Sequence, residues 1–107
     1  MRPDKYILNE SGDPVPCADL MEWARWFERR PNRVVKQEYV GTQFVSTVFL
    51  GLDHSFGDDG PPILYETMIL GGPHDQYQTR CATREQALRE HAIALAVARG
   101  ERQPEPL

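Results

Sequence analysis

Hydrophobic and polar positions alternate most regularly around the stretch Phe44 to Gly72, FVSTVFLGLDHSFGDDGPPILYETMILGG. It reads as two strands joined by a Gly/Asp/Pro-rich loop, with ILYETMIL as the second strand and Gly71-Gly72-Pro73 closing it. Just upstream, RVVKQEYV and QFVSTVFL are separated by Gly41-Thr42, and glycine at the first central position suits a two-residue type II′ turn. That turn sets Tyr39 opposite Phe44, Gln37 opposite Ser46 and Val35 opposite Val48 on one face. The other face pairs Glu38 with Val45, Lys36 with Thr47 and Val34 with Phe49. The first face is the more apolar, so the helices are expected against it.

The remaining elements follow the same reasoning. Lys5 to Leu8 is a short strand ended by the turn formers Asn9, Ser11, Gly12, Asp13 and Pro14. ADLMEWARWFERR carries a 3.6-residue period, with Leu20, Trp23, Ala24 and Phe27 on one stripe and Trp26 on its flank. This helix starts near Cys17 or Ala18 and stops before Pro31. Tyr77 to Arg80 is a weaker edge strand. Thr83 with Gln86 three residues on is a capping-box pattern, opening a helix that ends at Gly100. Its apolar face is read as Ala87, Leu88, His91, Leu95 and Ala98, with Ile93 and Val97 turned away. The order β-α-β-β-β-β-α predicts an α+β two-layer sandwich: an antiparallel sheet of four to five strands with two helices on one face. Residues 1–100 form one domain, and the polar, Pro-rich residues 101–107 are expected to be a disordered tail.

Composition narrows the function classes. The chain has 107 residues, 26% of them charged, and a formal charge of −4. That balance lacks the basic footprint of a non-specific nucleic-acid binder. No apolar run is long enough to span a membrane, and the first residues lack an apolar signal core, so a cytosolic protein is expected. Cys17 and Cys81 form no CxxC pair and are expected as reduced thiols.

The chemically interesting groups concentrate in the loop after Leu52. Asp53, His54 and Glu66 combine hard carboxylates with an imidazole, a set that could hold a divalent ion in a metal-dependent hydrolase or nuclease. Their spacing fits no established motif, and Met68 stands where a restriction-type nuclease site has lysine. The structural alternative has Asp53 capping the loop and Glu66 in solvent or paired with Lys36. His91 falls mid-way along the last helix's apolar face, the place of a core group with a hydrogen-bond partner or of a pH-sensitive one. Arg25, Arg29, Arg30 and Arg33 could supply phosphate contacts in a nucleotide-signal sponge. Trp26, Phe49, Ile93 and Val97 lie outside the inferred core faces and suggest a surface for a partner or for a homodimer. Phe56, ringed by Asp58 and Asp59, suits a basic partner groove, with the ring as anchor and the acids steering; its alternative role is a plug over the sheet edge.

The segments VPCADLMEWARWFE, VSTVFLGLDHSFG and GPPILYETMILGG resemble a group of small proteins encoded by tailed bacteriophages and prophages. The likeness runs roughly from Tyr6 to His91. It implies a phage-borne accessory protein in the host bacterial cytoplasm, and it carries over no catalytic residue and no cofactor. By analogy with other small phage proteins, it points to an inhibitor of a bacterial host protein, such as an anti-defence or anti-CRISPR protein. The expected contact residues are Trp26, Phe56, Asp58 and Asp59.

Overall fold

The computed structural model describes residues 3–55 and 60–104. Its elements are β1 (Tyr6–Leu8), β2 (Pro14–Pro16), α1 (Leu20–Glu28), a 3-10 turn (Arg30–Arg33), β3 (Val34–Val40), β4 (Gln43–Phe49), β5 (Tyr65–Leu70), β6 (Gln78–Cys81) and α2 (Arg84–Ala98). The four longer strands form an antiparallel sheet in the order β3-β4-β5-β6. The fold is therefore α+β, as the sequence pattern predicts. The first strand does not join that sheet. β1 pairs with β2 in a separate antiparallel hairpin. The side chain of Asn9 closes its turn by accepting from the backbone N–H groups of Ser11 and Asp13, both at 2.9 Å.

The β3–β4 hairpin has the expected register, with Tyr39 opposite Phe44, Gln37 opposite Ser46, Glu38 opposite Val45 and Lys36 opposite Thr47. Gly41 has φ +60°, as a type II′ turn requires. Nothing lies near the position its Cβ would occupy. Gly41→Val should therefore destabilise through backbone strain alone, by about 1 kcal/mol or more, read as a lower urea midpoint at unchanged slope. Further along, the register shifts by one: Val34, not Val35, faces Val48. Val35 is the extra residue of a β-bulge. It is half-buried and packs against the cluster around Phe49.

The face assignment is reversed relative to expectation. Val45, Thr47 and Phe49 of β4 are buried, and so are their β5 neighbours Ile69, Thr67 and Tyr65. The helices lie on that side. The face of Tyr39, Phe44, Ser46 and Val48 is the open one. Hydropathy misjudges the buried face because it counts Thr47 and Thr67 as polar, whereas their hydroxyls bond to each other at 2.7 Å inside the core.

Two clusters form the core. Val45 and Ile69 pack with Ala94, Leu95, Val97 and Ala98 of α2. Tyr6, Phe49, Leu64, Tyr65 and Ala87 form the second, with Leu8, Trp26, Val35 and Cys81 against it. Phe49 and Val97, expected on the surface, are fully buried, and Ile93 packs against the first cluster. Leu88, expected in the core, is 42% exposed. The second half of α2 is apolar on most sides, so its period alone does not select a face. Its ends match expectation: the Thr83–Gln86 capping box is formed, and Gly100 follows the Arg99 C-cap with φ +76°. In addition, Gln43 of β4 donates to the Ala98 carbonyl at 2.7 Å.

α1 starts later than expected. Its N-cap is Asp19, whose carboxylate accepts from the Glu22 N–H at 3.0 Å. Leu20 is 58% exposed, and the helix attaches through Trp23, Trp26 and Phe27, which are half-buried. The Trp23 indole N–H donates to the Gly51 carbonyl at 3.0 Å. Gly51 has φ +74°, and a Cβ there would meet the Phe27 ring at 3.0 Å. Glycine is required at that junction on both counts. Part of the tail read as disordered, residues 105–107, lies outside the described residues.

Candidate functional site

The strands β4 and β5 deliver Asp53 and Glu66 to different duties. Asp53 Oδ1 accepts from the N–H groups of Ser55 and Ile63, both at 2.9 Å, and so closes the base of the loop. Its own N–H donates to the Asp4 carbonyl, and that of His54 to the Ile63 carbonyl. The His54 side chain is exposed. Glu66 sits on the open face, opposite Arg80 of β6. It accepts from the Arg80 Nε at 2.9 Å and from the Gln78 amide. Its partner is thus Arg80, where the sequence offered Lys36. Among the described residues, no group of three or more His, Cys, Asp or Glu is placed to hold a metal ion. We expect Mn²⁺, Mg²⁺ and Zn²⁺ to leave the melting temperature unchanged within error, since an ion that bound only the folded chain would raise it by mass action. A clear rise abolished by Asp53→Ala would restore the hydrolase reading.

A second constellation was half visible in the sequence. His91 is 1% exposed, and its Nε2 donates to Glu38 Oε2 at 2.8 Å. Its Nδ1 pairs with Thr47 Oγ1 at 2.7 Å, and Thr47 pairs with Thr67. Lys36 adds an ion pair to Glu38 at 3.6 Å. The His91 N–H holds the Glu38 carboxyl below its ordinary range, helped by Lys36 and opposed by desolvation. Hydroxyl, imidazole and carboxylate stand in the sequence of a nucleophilic triad. Thr47, however, is fully buried with its hydroxyl spent on Thr67 and His91. No substrate reaches it, and the chain of bonds joins α2 to β3, β4 and β5 instead.

Neither cysteine stands beside a group that would lower its pKa overall. Both are free thiols. Burial pushes the Cys81 thiol up to about 11, and burial with the Glu22 charge raises Cys17. Neither supplies thiolate near neutral pH. Of the arginines, Arg33 donates its Nε to the Phe27 carbonyl at 2.9 Å, and its guanidinium stacks over the Phe27 ring at 4.1 Å. Arg25, Arg29 and Arg30 are exposed.

Of the expected contact residues, Trp26 is half-buried and meets Phe49 edge-on at 5.6 Å. Phe56, Asp58 and Asp59 lie outside the described residues. The surface that the sequence did not single out is the open face of the sheet. Tyr39, Phe44 and Leu70 line up across β3, β4 and β5. Tyr39 is 72% exposed, Leu70 is 39% exposed, and the Tyr39 and Phe44 rings touch at 4.9 Å. Half-buried Met68 lies beside this row on β5. Period-2 alternation places Tyr39 and Phe44 together; only the reversed face leaves Tyr39 exposed and Phe44 half-buried.

Compared with known proteins, the chain matches no family model, no curated protein and no solved structure. Among the described residues, no helix is long and apolar enough to cross a membrane.

Proposed function

We propose that this protein is a binding module and not an enzyme: a phage-encoded accessory protein that inhibits a bacterial host protein in the host cytoplasm, in the manner of an anti-defence inhibitor. The phage origin rests on the resemblance of the segments around Trp26, Asp53 and Tyr65. The binding role rests on one observation, the apolar row Tyr39–Phe44–Leu70 on a sheet face that no helix covers among the described residues. Isolated exposed hydrophobes are ordinary on a protein surface. Two exposed ones, Tyr39 and Leu70, joined through the half-buried Phe44 and led by an aromatic side chain with a polar tip, are what a protein interface uses as its anchor. The acidic loop from Asp53 to Gly60 supplies the steering charge in this reading.

The test is affinity capture from bacterial lysate with the wild type and Tyr39→Glu. The substituted side chain is exposed and its one ring contact is the cross-strand pair with Phe44, so the melting temperature should fall by no more than about 5 °C. A host protein retained by the wild type should be lost by the variant. Equal capture by both removes the open face from the proposal. Turnover of a substrate by the purified chain would replace the binding role altogether.

A further inference from the structure

We propose that two copies of this chain associate through the outer edges of their β3 strands, in antiparallel register about a two-fold axis at Gln37. β3 is the seven-residue outer strand of the sheet and contains no proline. Its hairpin closes on Val40 opposite Gln43 around a two-residue turn, so these two residues exchange hydrogen bonds. The alternation of an antiparallel ladder then assigns the next bonded pairs to Glu38–Val45 and Lys36–Thr47. The N–H and C=O groups of Gln37 and Tyr39 consequently point away from β4. Neither residue makes a backbone hydrogen bond outside the hairpin among the described residues. The bulge at Val35, a common device for blunting an edge, is confined to the N-terminal end, and Lys36 to Val40 remain regular.

The order of side chains along this edge is self-complementary. Read outward from Gln37, Lys36 balances Glu38, and apolar residues, Val35 and Tyr39, follow on either side. A two-fold axis at Gln37 sets each Lys36 opposite the partner's Glu38, within the regular stretch beyond the bulge. Both Gln37 residues then exchange their two outward backbone bonds. Lys36 and Glu38 fall in the non-hydrogen-bonded positions, where facing side chains come closest. Moving the axis to Lys36 or to Glu38 places like charges face to face, and moving it to Tyr39 leaves Lys36 and Glu38 without an opposite charge, so the axis at Gln37 is the one that pairs both charges. Both side chains reach solvent, at 55% and 34% exposure. His91 and Lys36 engage Glu38 through Oε2, which leaves Oε1 for the partner's Lys36. The product is one continuous sheet of two four-stranded halves, with both α2 helices on one side and both Tyr39 rows on the other.

Sedimentation equilibrium over a concentration series tests this. The wild type should sediment at twice the chain mass of 12.3 kDa. Gln37→Pro removes an N–H that β4 does not use, a place where an edge strand tolerates proline. It should give a folded monomer by circular dichroism. Lys36→Glu sets carboxylates opposite each other twice and should weaken dimerisation roughly tenfold. If Gln37→Pro does not fold, Lys36→Glu decides alone, because that side chain is exposed. A wild type that stays monomeric at about 100 µM, well above the Kd of a specific standard-sized interface, overturns the proposal and leaves the edge to an extended segment of another protein. A dimer that resists these substitutions but dissolves with Tyr39→Glu overturns it too, in favour of contact through the open face.

Discussion

Phe49→Ala should lower the unfolding free energy by about 3–5 kcal/mol, the range for truncating a buried phenylalanine. Phe49 is fully buried at the end of β4, where four elements converge. Its ring meets Trp26 of α1 at 5.6 Å and 88° and Tyr65 of β5 at 5.4 Å and 62°. Such edge-on pairs add about 0.5–1.5 kcal/mol each beyond the apolar area they bury. Tyr6 of β1 and Ala87 of α2 complete the cluster. Alanine removes the ring against which β1, α1 and α2 are all seated, and the strand backbone cannot move in to fill the space. A domain of this size has about 5–15 kcal/mol in total, so the variant should be close to its limit at room temperature. Urea unfolding followed by tryptophan fluorescence and by circular dichroism gives the value. A loss under about 1 kcal/mol, the size of a surface effect, would mean that this cluster does not seat α1 and β1.

His91→Ala is expected to cost about 2–4 kcal/mol, from the cavity left and from the hydroxyl of Thr47 losing a partner. The more telling effect is on pH dependence. His91 holds the Glu38 carboxyl below the value it has in the unfolded chain. A carboxyl lowered on folding contributes stability that is fully present above its unfolded pKa, near 4.3 by reference values. That contribution disappears as pH falls through the lower folded value. The wild type should therefore lose this increment as pH falls below the unfolded value, while the variant, lacking the donor, lacks that part of the slope. Urea midpoints at pH 7, 5, 4 and 3 should converge toward the acid end. Parallel curves for the two proteins would separate Glu38 from the acid response. Glu38→Gln should remove the same slope with His91 in place.

The hairpin at Gly41 is legible in the sequence because a II′ turn leaves one register open, and a glycine with positive φ marks it. The bulge at Val35 is not, since nothing in VVKQ distinguishes a bulged valine from a paired one. The wrong choice of buried face has a definite physical origin. With Val35 read as paired, Val35, Tyr39, Phe44 and Val48 outnumber Val34, Val45 and Phe49 on the other face, so a count of hydrophobes favours that side. The buried side wins because Thr47, Thr67 and His91 satisfy one another, which makes three polar positions compatible with a core. His91 was legible as a core histidine, but its partners were not, because Glu38 and Thr47 lie 53 and 44 residues away along the chain. The same error hid the candidate site. Tyr39 and Leu70 become an exposed row only once the helices are placed on the opposite side. Asp53 is the reverse case: its part in closing the loop, to Ser55 and Ile63, is the turn chemistry that aspartate before Ser and Gly-Pro-Pro suggests.

The attachment of α1 has a consequence for how the molecule breathes. None of its nine residues is buried, whereas β4 and β5 alternate with fully buried positions. α1 hangs on the Trp23–Gly51 bond, the Trp26–Phe49 contact and the two bonds by which Asn32 and Arg33 hold the Trp26 and Phe27 carbonyls. Opening it uncovers the half-buried Trp23, Trp26 and Phe27 but no fully buried residue of its own, and breaks no bond of the main sheet. Its amides should therefore exchange with deuterium through a low-energy local excursion, long before those of Val45, Thr47 and Ile69, which wait for global unfolding. A protease cutting the folded chain should strike first between Leu20 and Arg30, and the sheet should survive that cut.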